Sequence, residues 1–236
     1  MQKKVGIVCA GDREVAPFMK HIENVKIVRK AKLNIYEGTI AGVQVVVLYS
    51  GVCKVNAAIA AQILIDQCGV DIIINAGTAG GMDEKLEIFD IVISAEVVYH
   101  DVAEHILTEF HPWMENVYFQ ADRELIRLSK LAAAKLRENY KIHWGRIATG
   151  ESFITDAGRK EINEKFAPLS VDMETASIAH VCFVNEIPFI SIRCITDTAM
   201  HSGVGAFEEN CDKASVIAKN VTLALLEEIR ENEYMG

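Results

Sequence analysis

Two short runs with no polar residue inside them constrain this chain most: Ile72-Ile73-Ile74, set between Asp71 and Asn75, and Ile91-Val92-Ile93. A strand points successive side chains to opposite faces, so consecutive β-branched aliphatics need apolar cover on both sides. Such strands belong in the middle layer of a sandwich. Further strands are predicted at 5–10, 33–40, 43–50, 141–149, 169–173 and 189–196, with 71–76 and 91–98 built on the two apolar runs. Helices are predicted at 54–67, 122–139, 156–165, 175–185 and 207–231. Gly42 separates two extended runs and reads as a hairpin turn. The expected fold is α/β, a three-layer α/β/α sandwich with a mixed, largely parallel central sheet. A chain of 236 residues with no repeat and no low-complexity linker is expected to be a single domain over 1–236. Residues 100–120 have no clear period and carry His111-Pro112-Trp113-Met114. They read as a long loop, of the kind that is functional or forms an interface.

Charge and cysteine usage narrow the function classes. The formal net charge is −9, and the densest basic stretch, 26–32, reads as a solvated loop or strand edge. Nucleic-acid binding is therefore not expected. Residues 5–10 are too short for a signal-peptide core or a membrane span, so no membrane association is expected. Six cysteines form no C-x-x-C pair and several lie inside apolar runs, which suits reduced, buried thiols and a cytoplasmic location. His100 and His105 are five apart, and His143, His180 and His201 are isolated, so no zinc site is expected.

Chemistry concentrates where strands end. Glu174 follows Val171-Asp172-Met173 at a strand-to-helix passage, the usual place for ligand-binding groups in an open α/β sheet. Arg193, Ile195 and Asp197 share a face if the last strand stays extended that far. A surface salt bridge between Arg193 and an acid is the plain alternative. The run Asn75-Ala76-Gly77-Thr78-Ala79-Gly80-Gly81 follows a buried strand and reads as a glycine turn. Its backbone can approach a ligand, but it lacks the Walker and dinucleotide spacings. Turns at Ser50-Gly51-Val52, Thr149-Gly150-Glu151 and Ala10-Gly11-Asp12 add to it. If these strand ends converge, small residues pave a floor onto which Glu14, Phe153, Glu174, Arg193 and Asp197 project.

Together these residues resemble the nucleoside phosphorylase/hydrolase family, most closely its 5′-methylthioadenosine/S-adenosylhomocysteine nucleosidases. The resemblance runs over nearly the whole chain: Glu14, Ser50-Gly51-Val52 with Lys54, Gly77 to Gly81, Tyr99-His100-Asp101, Gly150 to Ile154, Met173-Glu174, and Arg193 with Thr196-Asp197. It implies hydrolysis of a purine nucleoside's N-glycosidic bond by acid–base catalysis, in a homodimer, without cofactor or metal. It casts Asp197 as the acid that protonates adenine N7, Glu14 as the base for the attacking water, and Glu174 as the acceptor for the ribose hydroxyls. Thr78 and Arg193 would hold the water. Met173 would lie beneath the sugar, Phe153 would stack on the base, and the Ile154 backbone would read its edge. Val52 and Phe207 match the wall around the 5′ substituent, and Gly80 and Thr196 belong to the matching motifs. Residues 100–120 would cross the dimer interface. Methylthioadenosine is the expected substrate, with S-adenosylhomocysteine and 5′-deoxyadenosine after it.

Two other readings stay open at this point. A phosphorylase of this fold carries an arginine where this chain has Asn75, and Glu14 occupies a region that would otherwise meet phosphate; Arg13 keeps that reading in play. A non-catalytic nucleoside-binding protein on the same fold would be expected to lack Asp197 or Glu14. The chain departs from the family pattern at Gly11, where a bulkier apolar residue is common. It departs again at Val102 to His111, which is not aromatic-rich.

Overall fold

In a computed structural model, described for residues 3–138, 140–232 and 234, every long predicted strand is present. In chain order the elements are β1 (Val5–Cys9), α1 (Asp12–Met19), β2 (Glu23–Lys30), β3 (Leu33–Ile40), β4 (Val43–Tyr49), α2 (Lys54–Asp66) and β5 (Ile72–Gly81). Then come β6 (Ile91–Tyr99), α3 (Glu104–Glu109), β7 (Phe119–Gln120), α4 (Arg123–Lys135), β8 (Ile142–Thr149) and α5 (Asp156–Phe166). The chain finishes with β9 (Ser170–Asp172), α6 (Thr175–Val184), β10 (Phe189–Asp197) and α7 (Val204–Glu231).

The strands form one mixed sheet in the order β10-β6-β8-β9-β5-β1-β4-β3-β2, with β7 beside β6. Its centre, β4-β1-β5-β10, is parallel. Because β5 also pairs with β10, the strands β5, β9, β8, β6 and β10 close into a ring, and the remaining strands extend from it as an open wing. The pleat sorts the apolar strands as expected. Ile72 and Ile74 pack with α1, α4 and α7 on one face, while Ile73 packs with α2 and α6 on the other. A third cluster places Ile162 and Phe166 of α5 against Val98, Ala148 and Val171.

Four expectations are corrected. Residues 77–81 are not a turn, because β5 stays paired with β10 through Gly80. Residues 26–32 bear out the strand-edge reading: β2 is an exposed edge, and its Lys26, Arg29 and Lys30 suit an edge that must not recruit another strand. Helix α1 is new; Pro17 sits inside it and Gly11 opens it, so neither the period nor the usual cap was visible. Residues 100–120 hold a single turn-and-a-half of helix, α3, and the two-residue β7 rather than a continuous loop. The predicted helix 122–139 ends at Lys135, capped at its start by Asp122, and Asn139 lies outside the described residues.

Candidate active site

The carboxyl ends of β1, β4, β5, β8, β9 and β10 open into one cleft of about 350 Å³, at the small end of ligand-site volumes. Val52, Thr78, Gly80, Phe153, Ile154, Met173, Thr196 and Phe207 line it together with Glu14, Glu174 and Asp197. Arg193 does not: it is fully buried and lies behind the carboxylates.

Glu14 is the third residue of α1. Its Oε2 accepts from the backbone N–H groups of Ala10 (2.6 Å) and Gly11 (3.2 Å), as a capping glutamate does. Its Oε1 accepts from the Thr78 N–H (2.7 Å) and hydroxyl (2.9 Å). Gly77 makes this possible, since a Cβ there would lie 2.4 Å from Glu14 Oε1. Asp197 ends β10 after a bulge at Ile195/Asp197, which breaks the simple alternation from Arg193. Its Oδ1 accepts from the Thr196 hydroxyl at 2.9 Å. A Cβ on Gly80 would come within 3.0 Å of its Oδ2. The glycines that read as a turn open to a ligand are instead the places where two carboxylates rest against a strand. Gly77 and Gly80 are three residues apart, roughly 10 Å along an extended chain.

Glu174 caps α6 in a non-helical conformation. Its Oε1 accepts from the Cys53 N–H at 3.0 Å, and Arg193 Nη2 lies 3.4 Å from its Oε2. Cys53 aims that N–H from a left-handed φ of 81°, a conformation a non-glycine residue holds only under constraint. Arg193 also reaches Asp172 Oδ2 (3.0 Å) and, at 4.0 Å, Glu14 Oε1. It further donates to the Thr175 hydroxyl and the Thr78 carbonyl. One buried guanidinium therefore faces three carboxylates.

That imbalance sets the proton affinities. Burial pushes Glu174 up to about 7, Asp172 and Glu14 push it the same way, and Arg193 opposes them. Burial lowers the proton affinity of Arg193, but Asp172, Glu174 and Glu14 overcome it and raise its pKa. Burial also raises Asp197, with the Thr196 hydroxyl and Arg159 pulling back.

Several contributors were missed from sequence. Asp172 accepts from the N–H groups of Glu174 (3.1 Å) and Thr175 (3.0 Å) and from the Thr149 hydroxyl (2.7 Å), so it shapes the turn that delivers Glu174. An acid three residues before a helix's first apolar run is a cap signal that could have found it. Asp101 bonds Lys54 Nζ at 2.9 Å and the Glu151 N–H at 2.9 Å, tying three rim segments together. Phe153 meets Phe207 edge to face, with ring centroids 6.2 Å apart.

A model of the phosphorylase superfamily matches residues 4–227. The chain belongs to that superfamily. Within this superfamily, a 5′-methylthioadenosine/S-adenosylhomocysteine nucleosidase from Anoxybacillus flavithermus is 36% identical over 96% of this chain and 99% of its own. The Colwellia psychrerythraea nucleosidase solved with adenine superposes with a TM-score of 0.88 at 33% identity, covering 97% of this chain and 96% of that one. The Neisseria meningitidis nucleosidase with methylthio-immucillin-A gives 0.88 at 31%, covering 95% and 99%. Against the phosphorylase members of the superfamily, Asn75 is fully buried and its amide is spent on Val8, Thr175 and Ser191. The Arg13 guanidinium is likewise engaged, by Glu208 (2.7 Å) and Asp212 (2.6 Å) of α7.

Proposed function

We propose that the protein hydrolyses the N-glycosidic bond of 5′-methylthioadenosine and S-adenosylhomocysteine, releasing adenine and the 5′-substituted ribose, and that it accepts 5′-deoxyadenosine. The observation that carries this reading is the row of buried carboxylates Glu14, Asp172 and Glu174 along the cleft, which outnumber Arg193, the cation behind them. Breaking a glycosidic bond builds positive charge on the ribosyl ring, which such a row stabilises. A doubly charged phosphate would meet the same row at a cost of several kcal/mol at low effective dielectric.

In this mechanism protonated Asp197 gives its proton to adenine N7 as the C1′–N9 electron pair moves onto the base. Glu14 takes a proton from water as the water oxygen bonds C1′. Thr78 donates its hydroxyl to Glu14 and Arg193 faces Glu14 from behind, so both hold the water through the carboxylate they orient. Glu174 accepts from the ribose hydroxyls, with Met173 beneath the sugar. Phe153 stacks on adenine and the Ile154 backbone reads its edge, while Val52 and Phe207 wall the 5′ substituent. In phosphate-free buffer, 5′-methylthioadenosine should yield adenine and free methylthioribose at a rate that added phosphate leaves unchanged. Adenine formed only with phosphate would overturn the hydrolytic reading.

The same reading includes one domain, a homodimer and a cytoplasmic location. Val55 and Ile59 of α2, Phe110 and Trp113 after α3, and Phe183 and Val184 of α6 are all exposed apolar side chains, a density that marks an interface. A second copy of the chain covers them. Light scattering at micromolar concentration should give twice the 26.1 kDa chain mass; the monomer mass would exclude the dimer. All six cysteines are free, which fits a reducing compartment. No helix among the described residues is long and apolar enough to cross a membrane.

A further inference from the structure

Behind Asp197, away from the cleft, lies a buried cation that the mechanism above does not use. Arg159 sits in the second turn of α5, only 6% exposed. Its Nη1 donates to the Gly81 carbonyl and reaches Met82 Sδ at 3.4 Å. Its Nε and Nη2 have no hydrogen-bond partner among the described residues. Leaving two charged N–H donors buried and unpaired costs stability. Nη2 points at Asp197 Oδ2 across 4.0 Å, too long for a hydrogen bond and short enough for an ion pair.

We propose that Arg159 is a positioning residue for the reaction, held one step short of a full ion pair so that it closes on Asp197 as that acid becomes a carboxylate. Before proton transfer the acid is neutral and the contact is weak. As the proton passes to N7, negative charge appears on the buried Asp197, and the unpaired Nη2 and Nε are the donors in place to meet it. An interaction that strengthens only along the reaction accelerates it. The groups packed around Asp197 are the Thr196 hydroxyl on its own strand, Gly80 on β5 and Arg159 on α5. From α7, Asn210 holds the Thr196 carbonyl at 3.0 Å. Arg159 is the charged group whose field lowers the proton affinity of Asp197.

The inference rests on Asp197 being the acid, and the two can be tested apart. R159Q keeps a donor for Gly81 and removes the charge. Its kcat should fall about ten- to a hundredfold near neutral pH, while the alkaline limb of its pH profile moves up by about one unit, because a cation that lowered the acid's pKa is gone. R159K should restore the native limb. An anchor that merely held α5 would lower activity or stability and leave the limb in place, and that result overturns the proposal. Should R159Q not fold, the native protein decides. Arg159 guanidinium ¹⁵N signals, assigned by their loss in R159K, should shift with pH at the midpoint of the kinetic limb and stay constant in D197N. Signals that ignore that midpoint overturn the proposal equally. If D197N itself turns over normally, the acid assignment fails instead.

Discussion

Asp197→Asn is expected to lower kcat by about 10²–10⁴, the usual worth of a general acid, while the folded protein survives. The amide has nearly the shape of the carboxyl and can keep the Thr196 hydrogen bond, but it has no proton to give to N7. Binding should persist, because Phe153, Glu174 and Met173 are untouched, so KM should change little while turnover collapses. The native enzyme should lose activity as pH rises and Asp197 ionises; burial pushes that loss upward from the ordinary aspartate range. The residual rate of D197N should lack this limb. Adenine release across pH, read beside a thermal melt, checks all three statements. Turnover within a few-fold of native would remove Asp197 from the mechanism.

Arg193→Met should have the largest effect on stability. Methionine fills much of the space but leaves Asp172, Glu174 and Glu14 facing one another without a cation. Breaking a buried pair from one side typically costs about 3–5 kcal/mol, much of the stability of an ordinary domain. The pH dependence has a definite sign. Glu174 is already pushed up to about 7 against an unfolded value near 4.5, so the folded state binds its proton more tightly than the unfolded one. Its contribution is therefore fully present below the unfolded pKa and lost as pH rises through the folded pKa. Removing Arg193 raises the folded pKa further. The deficit of R193M should thus be smaller near pH 5 than near pH 8 in urea unfolding. A deficit that is equal at both would mean the three acids do not depend on this arginine.

The buried strands were legible because β-branched runs such as Ile72-Ile73-Ile74 admit only a covered sheet. Most of the cleft residues were legible because they sit at or just after strand ends, and strand ends converge. Ring closure was not legible: pairing of β5 with β10 depends on the curvature of strands more than a hundred residues apart, which no local pattern carries. Helix α1 escaped because its cap is Gly11 and its interior holds Pro17, both signals that argue against a helix. The glycines of β5 were noticed for the wrong reason, since small residues look alike whether they admit a ligand or a neighbour's carboxylate. Arg159 carried no signal, as a single arginine in a polar helix reads as solvated.

The four hydrogen bonds on Glu14 bear on how an inert version of this protein is best made. The proposed base is also the group that closes the first turn of α1 and ties that turn to β5. A neutral amide there gives up charge-assisted bonds to Ala10, Gly11 and Thr78 at once, so silencing the enzyme at Glu14 also frays the wall of its own cleft. Asp197, by contrast, ends a strand and carries no helix. Binding studies that need an intact but silent pocket should therefore start from the acid rather than the base.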